Sequence, residues 1–254
     1  AIQFHEDDVY DCAWETDFSF TVPTNLRSGI YAAKLIDEQD NEEMIPFFVT
    51  AKQGKPQSRI CVLIPSFTYT VYANIARGNT SKKMLERIKE WSASPWTTDN
   101  FPQFGLSTYN YHSDGSGISS SSRRRPILTM RSNVISYPGV PGSGCRHFPA
   151  DSHLWYWLTT KGYEYDVITD DELHKYGLAA IEKYSVLLTC SHPEYHTPQS
   201  LNALQEYTNT GGHLMYLGGN GFYWKVAVSD VWPDAVEIRR GEGGIRAWAS
   251  EPGE

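Results

Sequence analysis

An α/β fold is predicted, a mostly parallel sheet with helices on both faces, preceded by a small antiparallel β segment. Three observations carry it. From about residue 57 apolar strand runs alternate with helical patterns, as parallel sheets require. Glycine, proline and capping residues mark the joints between them. The first 56 residues hold only short alternating runs of the kind that form antiparallel meanders.

Those early runs are Phe18-Ser19-Phe20-Thr21-Val22, Gly29 to Ile36, and Met44 to Val49, parted by Ser28-Gly29 and by the polar stretch Asp37 to Asn41. Three strands make a poor core by themselves. Residues 1–56 are therefore expected to form a β-rich segment that belongs to a larger β-sandwich or packs on the main domain. Residues 57–254 form the α/β domain.

Within it, Arg59 to Ile64 reads as the first strand, and Thr80 or Ser81 can cap a helix whose Met84, Leu85, Ile88 and Trp91 follow helical spacing. Asp151 or Ser152 opens a second helix that stops at Gly162, followed by the strand Tyr165 to Ile168. Another strand, Ser185 to Thr189, precedes Thr197 as N-cap with Pro198 in the first turn. That helix runs to Thr210, Gly211-Gly212 ends it, and His213 to Leu217 is the last strand. The segment 92–150 interrupts this rhythm as a long insertion. Its aromatic residues argue for order, since disordered segments are poor in them.

Composition removes several functions. A net charge of -8 argues against a nucleic-acid-binding surface, and the basic run Arg123-Arg124-Arg125 is too short to overturn that, so no nucleic acid is expected. No apolar run approaches the roughly 18 residues of a membrane span, and the N-terminus lacks the pattern of a signal peptide. Cys12, Cys61, Cys145 and Cys190 show neither CxxC nor zinc-finger spacing, which fits reduced thiols in a cytoplasmic setting. Both ends of the chain read as cuts from something longer.

Chemistry is expected at the strand ends, where open α/β sheets bind ligands. Three strand ends are expected to lead into polar turns: the first into Ser66 to Asn74, the third into Cys190-Ser191-His192-Pro193-Glu194-Tyr195-His196-Thr197, and the fourth into Gly218-Gly219-Asn220-Gly221-Phe222-Tyr223-Trp224. The insertion adds Tyr109 to Gly117. Cys190 with His192 or His196 would suit a nucleophile and its base. The turn lacks the small flanking residues of a nucleophile elbow, and a buried cysteine closing a strand is the plainer reading. Zinc is disfavoured because there is no HExxH and no closely spaced Cys pair, and because Pro193 and Pro198 break the helix that would set His192 and His196, four apart, on one face. Glu194 together with tyrosine phenolates would instead offer hard, anionic oxygen donors, which suit ferric iron.

Five motifs in the same order resemble the large subunit of the N,N-dimethylformamidase family: Thr68 to Asn74, Leu106 to Gly117, Arg124-Arg125-Pro126-Ile127-Leu128, Ser191-His192-Pro193-Glu194-Tyr195, and Gly218-Gly219-Asn220-Gly221. The resemblance covers most of the chain from about residue 15. It implies an amide hydrolase with a mononuclear ferric iron held by two tyrosines and a glutamate, in an amidotransferase-like α/β fold. By position the glutamate is Glu194, and His192 and Asn220 are the catalytic pair beside it. By position the metal-binding tyrosines would be Tyr72 and Tyr109, with Tyr69 and Tyr111 as alternatives two or three residues away. Relative to that large subunit the chain is expected to be shorter at both ends.

The resemblance further implies Lewis-acid hydrolysis of a small amide, N,N-dimethylformamide or a similar N-substituted amide, to formate and amine. His192 would relay a proton to the leaving amine, and Asn220 would donate to the developing oxyanion or hold the water. Phe67, Tyr195, Phe222, Tyr223 and Trp224 would wall an apolar pocket. A small subunit and homo-oligomerisation of the large subunit are implied as well. Two rival functions remain open from the residues: a metal-free hydrolase using Cys190, and a non-catalytic module binding carbohydrate or a partner chain.

Overall fold

A computed structural model describes His5, residues 7–75, 82–93, 101–132, 134–135 and 144–239. Its elements run β1 (Gly29–Ile36), β2 (Glu42–Val49), β3 (Ile60–Ile64), α1 (Ser66–Val71), α2 (Lys82–Glu90), β4 (Ser120–Ser122), α3 (Phe148–Thr160) and β5 (Asp166–Thr169). Then follow α4 (Asp170–Tyr176), β6 (Val186–Thr189), β7 (Tyr195–His196), α5 (Pro198–Asn209), β8 (His213–Met215), β9 (Trp224–Lys225), β10 (Ala227–Val228) and β11 (Ala235–Glu237). The mixture of a parallel sheet, antiparallel sheets and helices is that of an α/β protein.

Two compact units divide the chain. The first comprises Trp14–Thr68 and Ala150–Trp224, the second the described residues of Ala1–Ala13, Tyr69–Pro149 and Lys225–Glu254.

The first unit is built on a four-stranded parallel sheet of order β5-β3-β6-β8. Cys61 and Leu63 of β3 and Leu187 of β6 project to one face, where Ile168, Leu173, Ile181, Ala203, Leu204 and Tyr207 close a core with them. Val62, Ile64 and Leu188, which alternate with these, are buried too, so both faces are covered as a parallel sheet demands. Thr197 caps α5 by accepting from Ser200 N at 3.2 Å, and Pro198 occupies the first turn. Such a cap contributes about 1 kcal/mol. It also fixes the direction in which the chain leaves the turn at Glu194.

β1 and β2 form the expected hairpin, with Gly29 opposite Val49 and Ile36 opposite Glu42. The run Phe18 to Val22 is not a strand. It stays irregular with Phe18 and Phe20 more than half exposed, because alternation alone gives no ladder without a neighbouring edge. Three other expectations shift. The second helix begins at Phe148 rather than Asp151, since Pro149 serves in its first turn, and Asp151 is turned inward instead. The stretch after β3 is the helix α1 rather than a turn. The last strand ends at Met215, after which Leu217 N donates to Thr189 Oγ1. α4 had no signal of periodicity; its capping box, Thr169 with Glu172, is the feature that starts it. α2 forms at Lys82–Glu90, while its proposed caps Thr80 and Ser81 lie outside the described residues.

The second unit holds the sheet β10-β11-β4 and much of the 92–150 insertion. Polar contacts hold it together. Asn74, at φ +57°, donates from Nδ2 to the carbonyls of Phe104, Gly105 and Pro126 and accepts from Leu128 N. Asparagine is one of the few residues that adopt this left-handed conformation at small cost. Gly105, at φ +82°, is required doubly, since a Cβ there would fall 2.0 Å from the buried Arg125 guanidinium. Arg125 donates to Leu106 O at 2.9 Å and Ser121 Oγ at 2.6 Å, and burial lowers its pKa to about 10. Among the described residues no helix is long and apolar enough to cross a membrane. None of the four cysteines forms a disulfide.

Candidate active site

Parallel pairing of β3, β6 and β8 sets their carboxyl ends on one edge of the first unit. From β6 the chain passes through the buried Cys190 to Ser191-His192-Pro193-Glu194, and every bend in that turn is fastened. Asp151, 1% exposed, accepts Ser191 N at 2.6 Å. Thr68 Oγ1 donates to His192 O at 2.9 Å, and Glu194 N donates to the same carbonyl at 2.9 Å.

The turn after β8 runs alongside and adds the rest. Gly219 N donates to Ser191 O at 2.7 Å, Phe222 N to Pro193 O at 2.8 Å, and both Tyr223 N and Trp224 N to Glu194 O at 3.0 Å. Gly218 makes the approach possible: a Cβ there would meet Pro193 Cδ at 2.7 Å, Ser191 O at 2.8 Å and Cys190 O at 2.9 Å.

The fastened backbone aims three side chains at one place. Glu194 is 2% exposed, and its two carboxylate oxygens have different neighbours. Asn220 Nδ2 lies 3.3 Å from Oε1, and His192 Nε2 lies 3.2 Å from Oε2. An amide nitrogen carries two donors, so Asn220 can hold Glu194 with one and offer the other to a bound group. Glu194, His192 and Asn220 are thus brought together.

Cys190 and His196, the other reactive side chains of the turn, take structural places. Cys190 is fully buried, and burial, reinforced by the nearby Asp151 and Asp170, pushes its thiol well above the usual range. It is a protonated strand end without the thiolate a nucleophile needs. His196 is 1% exposed, has its Nε2 3.0 Å from Pro193 O, and stacks on Phe222 with centroids 4.9 Å apart. Burial lowers its pKa to about 4, against the smaller opposing effect of Pro193 O, so the ring is neutral and pins the turn.

The two tyrosines lie in the second unit, also together. Tyr72 follows α1, and Tyr109 sits in a bend where Ser107 and Thr108 both donate from their hydroxyls to Val71 O at 3.1 Å. Their rings stack with centroids 4.3 Å apart and planes 14° from parallel, at 4% and 7% exposure. The Arg146 guanidinium lies 4.8 Å over Tyr72, and the His147 ring is tilted against it at 4.2 Å. Tyr69 has its ring edge-on to Phe148, and Tyr111 is 41% exposed.

The five aromatic residues expected to wall a pocket divide among roles. Phe67, Tyr195 and Trp224 are buried, Phe67 standing edge-on to His174. Phe222 and Tyr223 are exposed, Tyr223 by 67%. Asp151 and Thr68, which hold the turn, escaped sequence reasoning: a helix-start aspartate and a threonine give no sign that they will clamp a distant backbone.

The whole chain, residues 1–254, matches the family described as N,N-dimethylformamidase beta subunit-like, C-terminal. The chain belongs to this family. Among curated relatives, the N,N-dimethylformamidase beta subunits of Paracoccus aminophilus and of an Alcaligenes species are each 39% identical to it over 258 aligned residues. The alignments take in 100% of this chain and 33% of each relative, so the chain spans about a third of the length of the curated relatives it matches. Membership in the N,N-dimethylformamidase beta subunit-like C-terminal family agrees with the motifs quoted from the sequence, four of which carry Glu194, His192 and Asn220 or the stacked tyrosines.

Proposed function

We propose that this chain carries the metal-binding and proton-handling groups of an amide hydrolase that cleaves N,N-dimethylformamide or similar small N-substituted amides to formate and amine. The observation that carries the reading is the buried Glu194 carboxylate, with Asn220 at one oxygen and His192 at the other. A structural carboxylate needs neither a proton relay nor a spare amide donor beside it.

The donor chemistry fits a mononuclear ferric ion. Tyr72, Tyr109 and Glu194 offer three oxygen donors that become anionic on binding, and hard anionic oxygens suit a hard trivalent cation. The mutual stacking of Tyr72 and Tyr109 supports them over the equally buried Tyr69, and their burial supports them over the exposed Tyr111. When bound, the iron would supply Lewis-acid activation of the amide and of water.

The remaining work falls to the chain. Water adds its oxygen to the formyl carbon, the carbon–nitrogen bond breaks, and one proton must reach the departing nitrogen. His192, already within reach of Glu194 Oε2, passes that proton. The second N–H of Asn220 stabilises the negative charge that develops on the formyl oxygen. Asp151 and Thr68 keep both groups in register by holding the backbone of Ser191 and His192.

The same reading takes the parallel sheet as amidotransferase-like and residues 1–56 as a β-rich segment attached to the α/β catalytic domain at 57–254. It also includes a small partner subunit, homo-oligomerisation of the large subunit and a cytoplasmic setting. The name of the relatives, beta subunit, supports the partner. Replacing Glu194 by Gln in the purified enzyme, with any subunit that accompanies it, tests the reading. Loss of both iron and dimethylformamide hydrolysis at an unchanged melting temperature is expected. Full hydrolysis by Glu194→Gln, or by protein freed of iron, would overturn it.

A further inference from the structure

The second unit contains a cluster of imidazoles and carboxylates for which the proposed hydrolysis has no use. One donor atom each from His5, Asp8 and His112 lie within 4.8 Å of one another, the one group of at least three His, Cys, Asp or Glu residues so arranged among the described residues. His112 comes from the Tyr109 to Gly117 bend and is 5% exposed, while His5 and Asp8 come from the other end of the sequence.

Each imidazole already has one nitrogen on a carboxylate. His112 Nδ1 lies 2.6 Å from Asp7 Oδ1, and His5 Nε2 lies 3.2 Å from Asp114 Oδ2 and 2.9 Å from Ser116 Oγ. Such contacts fix the tautomer and leave the opposite nitrogen with its lone pair, the arrangement found around metal-ligating histidines. For His112 that nitrogen is Nε2, and it faces Asp8 Oδ1 at 3.7 Å. This is too long for a hydrogen bond. Two donors each about 2.1 Å from a tetrahedral ion would stand about 3.4 Å apart, so the observed gap is close to that of two ligands sharing one ion.

We propose that His5, Asp8 and His112 form a metal site for one divalent transition ion of the zinc type, with Asp7 and Asp114 as the carboxylates that orient the two imidazoles. Two imidazoles and one carboxylate suit zinc, cobalt or a similar borderline cation better than calcium or magnesium, which take oxygen. The two rings stack 3.6 Å apart and 7° from parallel, so binding requires one of them to tilt. His5 is the one, since its side chain is 19% exposed against 3% for His112. The site would tie His5 and Asp8 to the bend that carries Tyr109, and so anchor that bend. Its donors differ entirely from the tyrosines and Glu194 of the proposed iron centre.

The test is calorimetric titration of zinc, and separately of cobalt with its visible spectrum, into purified protein stripped by a chelator at neutral pH. One ion per chain is expected. Asp8→Asn and His5→Gln, which alter the less buried donors, should each weaken binding about 100-fold, and Asp7→Asn about tenfold. Glu194→Gln should leave zinc binding unchanged, which separates this site from the hydrolytic reading. Zinc affinity equal to wild type in both Asp8→Asn and His5→Gln, loss of zinc in Glu194→Gln alone, or no zinc uptake at micromolar concentration would each overturn the proposal.

Discussion

Asn220 donates to Glu194 across 26 residues of sequence, with Nδ2 3.3 Å from Oε1, although the two lie on turns after different strands. The contact exists because the two turns are joined backbone to backbone, from Gly219 N on Ser191 O to Trp224 N on Glu194 O. Asn220 is thereby positioned by the same hydrogen bonds that position the carboxylate.

Asn220→Ala should lower the turnover number by about 100- to 1,000-fold, the usual cost of one donor to a developing oxyanion. Iron content should stay at the wild-type level, because Asn220 is not among the proposed ligands. Steady-state kinetics and metal quantitation on the same preparation check this.

Removing the thiol should do little to catalysis. With Cys190 buried and protonated, Cys190→Ala is expected to retain activity within about twofold and to lose about 1 kcal/mol of stability from the small void. Hydrolysis rates and denaturant unfolding measure the two effects separately.

Gly218 is fixed by crowding. Any Cβ there meets Pro193 Cδ and two carbonyl oxygens within 3 Å, so Gly218→Ala must push the two turns apart. A loss of roughly 1–3 kcal/mol is expected in urea unfolding, together with reduced turnover from the displaced Asn220.

His196 predicts a pH dependence of stability. Its folded pKa of about 4 lies below the ordinary 6.5, so between those values the unfolded chain binds the extra proton. The stabilisation is fully present above pH 6.5 and is lost as pH falls through about 4, by roughly 3 kcal/mol in total. Urea midpoints measured from pH 7 to pH 4 should fall along this window, and His196→Gln should flatten that part of the curve.

Much of this was legible in the sequence. The strands β3, β5 and β6, the Thr197 cap and the hairpin β1–β2 follow from apolar runs and capping residues, which act locally. Phe18 to Val22 misled because alternation marks a strand only where an edge is available to pair with it. Likewise, the motif placed Glu194 and His192 on one turn, but the pairing of that turn with Asn220 depends on β6 and β8 being neighbours. The stacking of Tyr72 on Tyr109 was equally hidden, since the 36 residues between them comprise α2 and the start of the insertion, and neither carries a local sign of that contact. The clamps Asp151 and Thr68 act over tertiary distances and left no local sign.

The visible spectrum of the purified protein, read beside its elemental analysis, tests the central claim most directly. Tyrosinate bound to ferric iron should give a charge-transfer band with about one iron per chain, and the band should weaken or shift in Tyr72→Phe and in Tyr109→Phe. A colourless, fully active protein without iron, or a band untouched by both substitutions, would contradict the account.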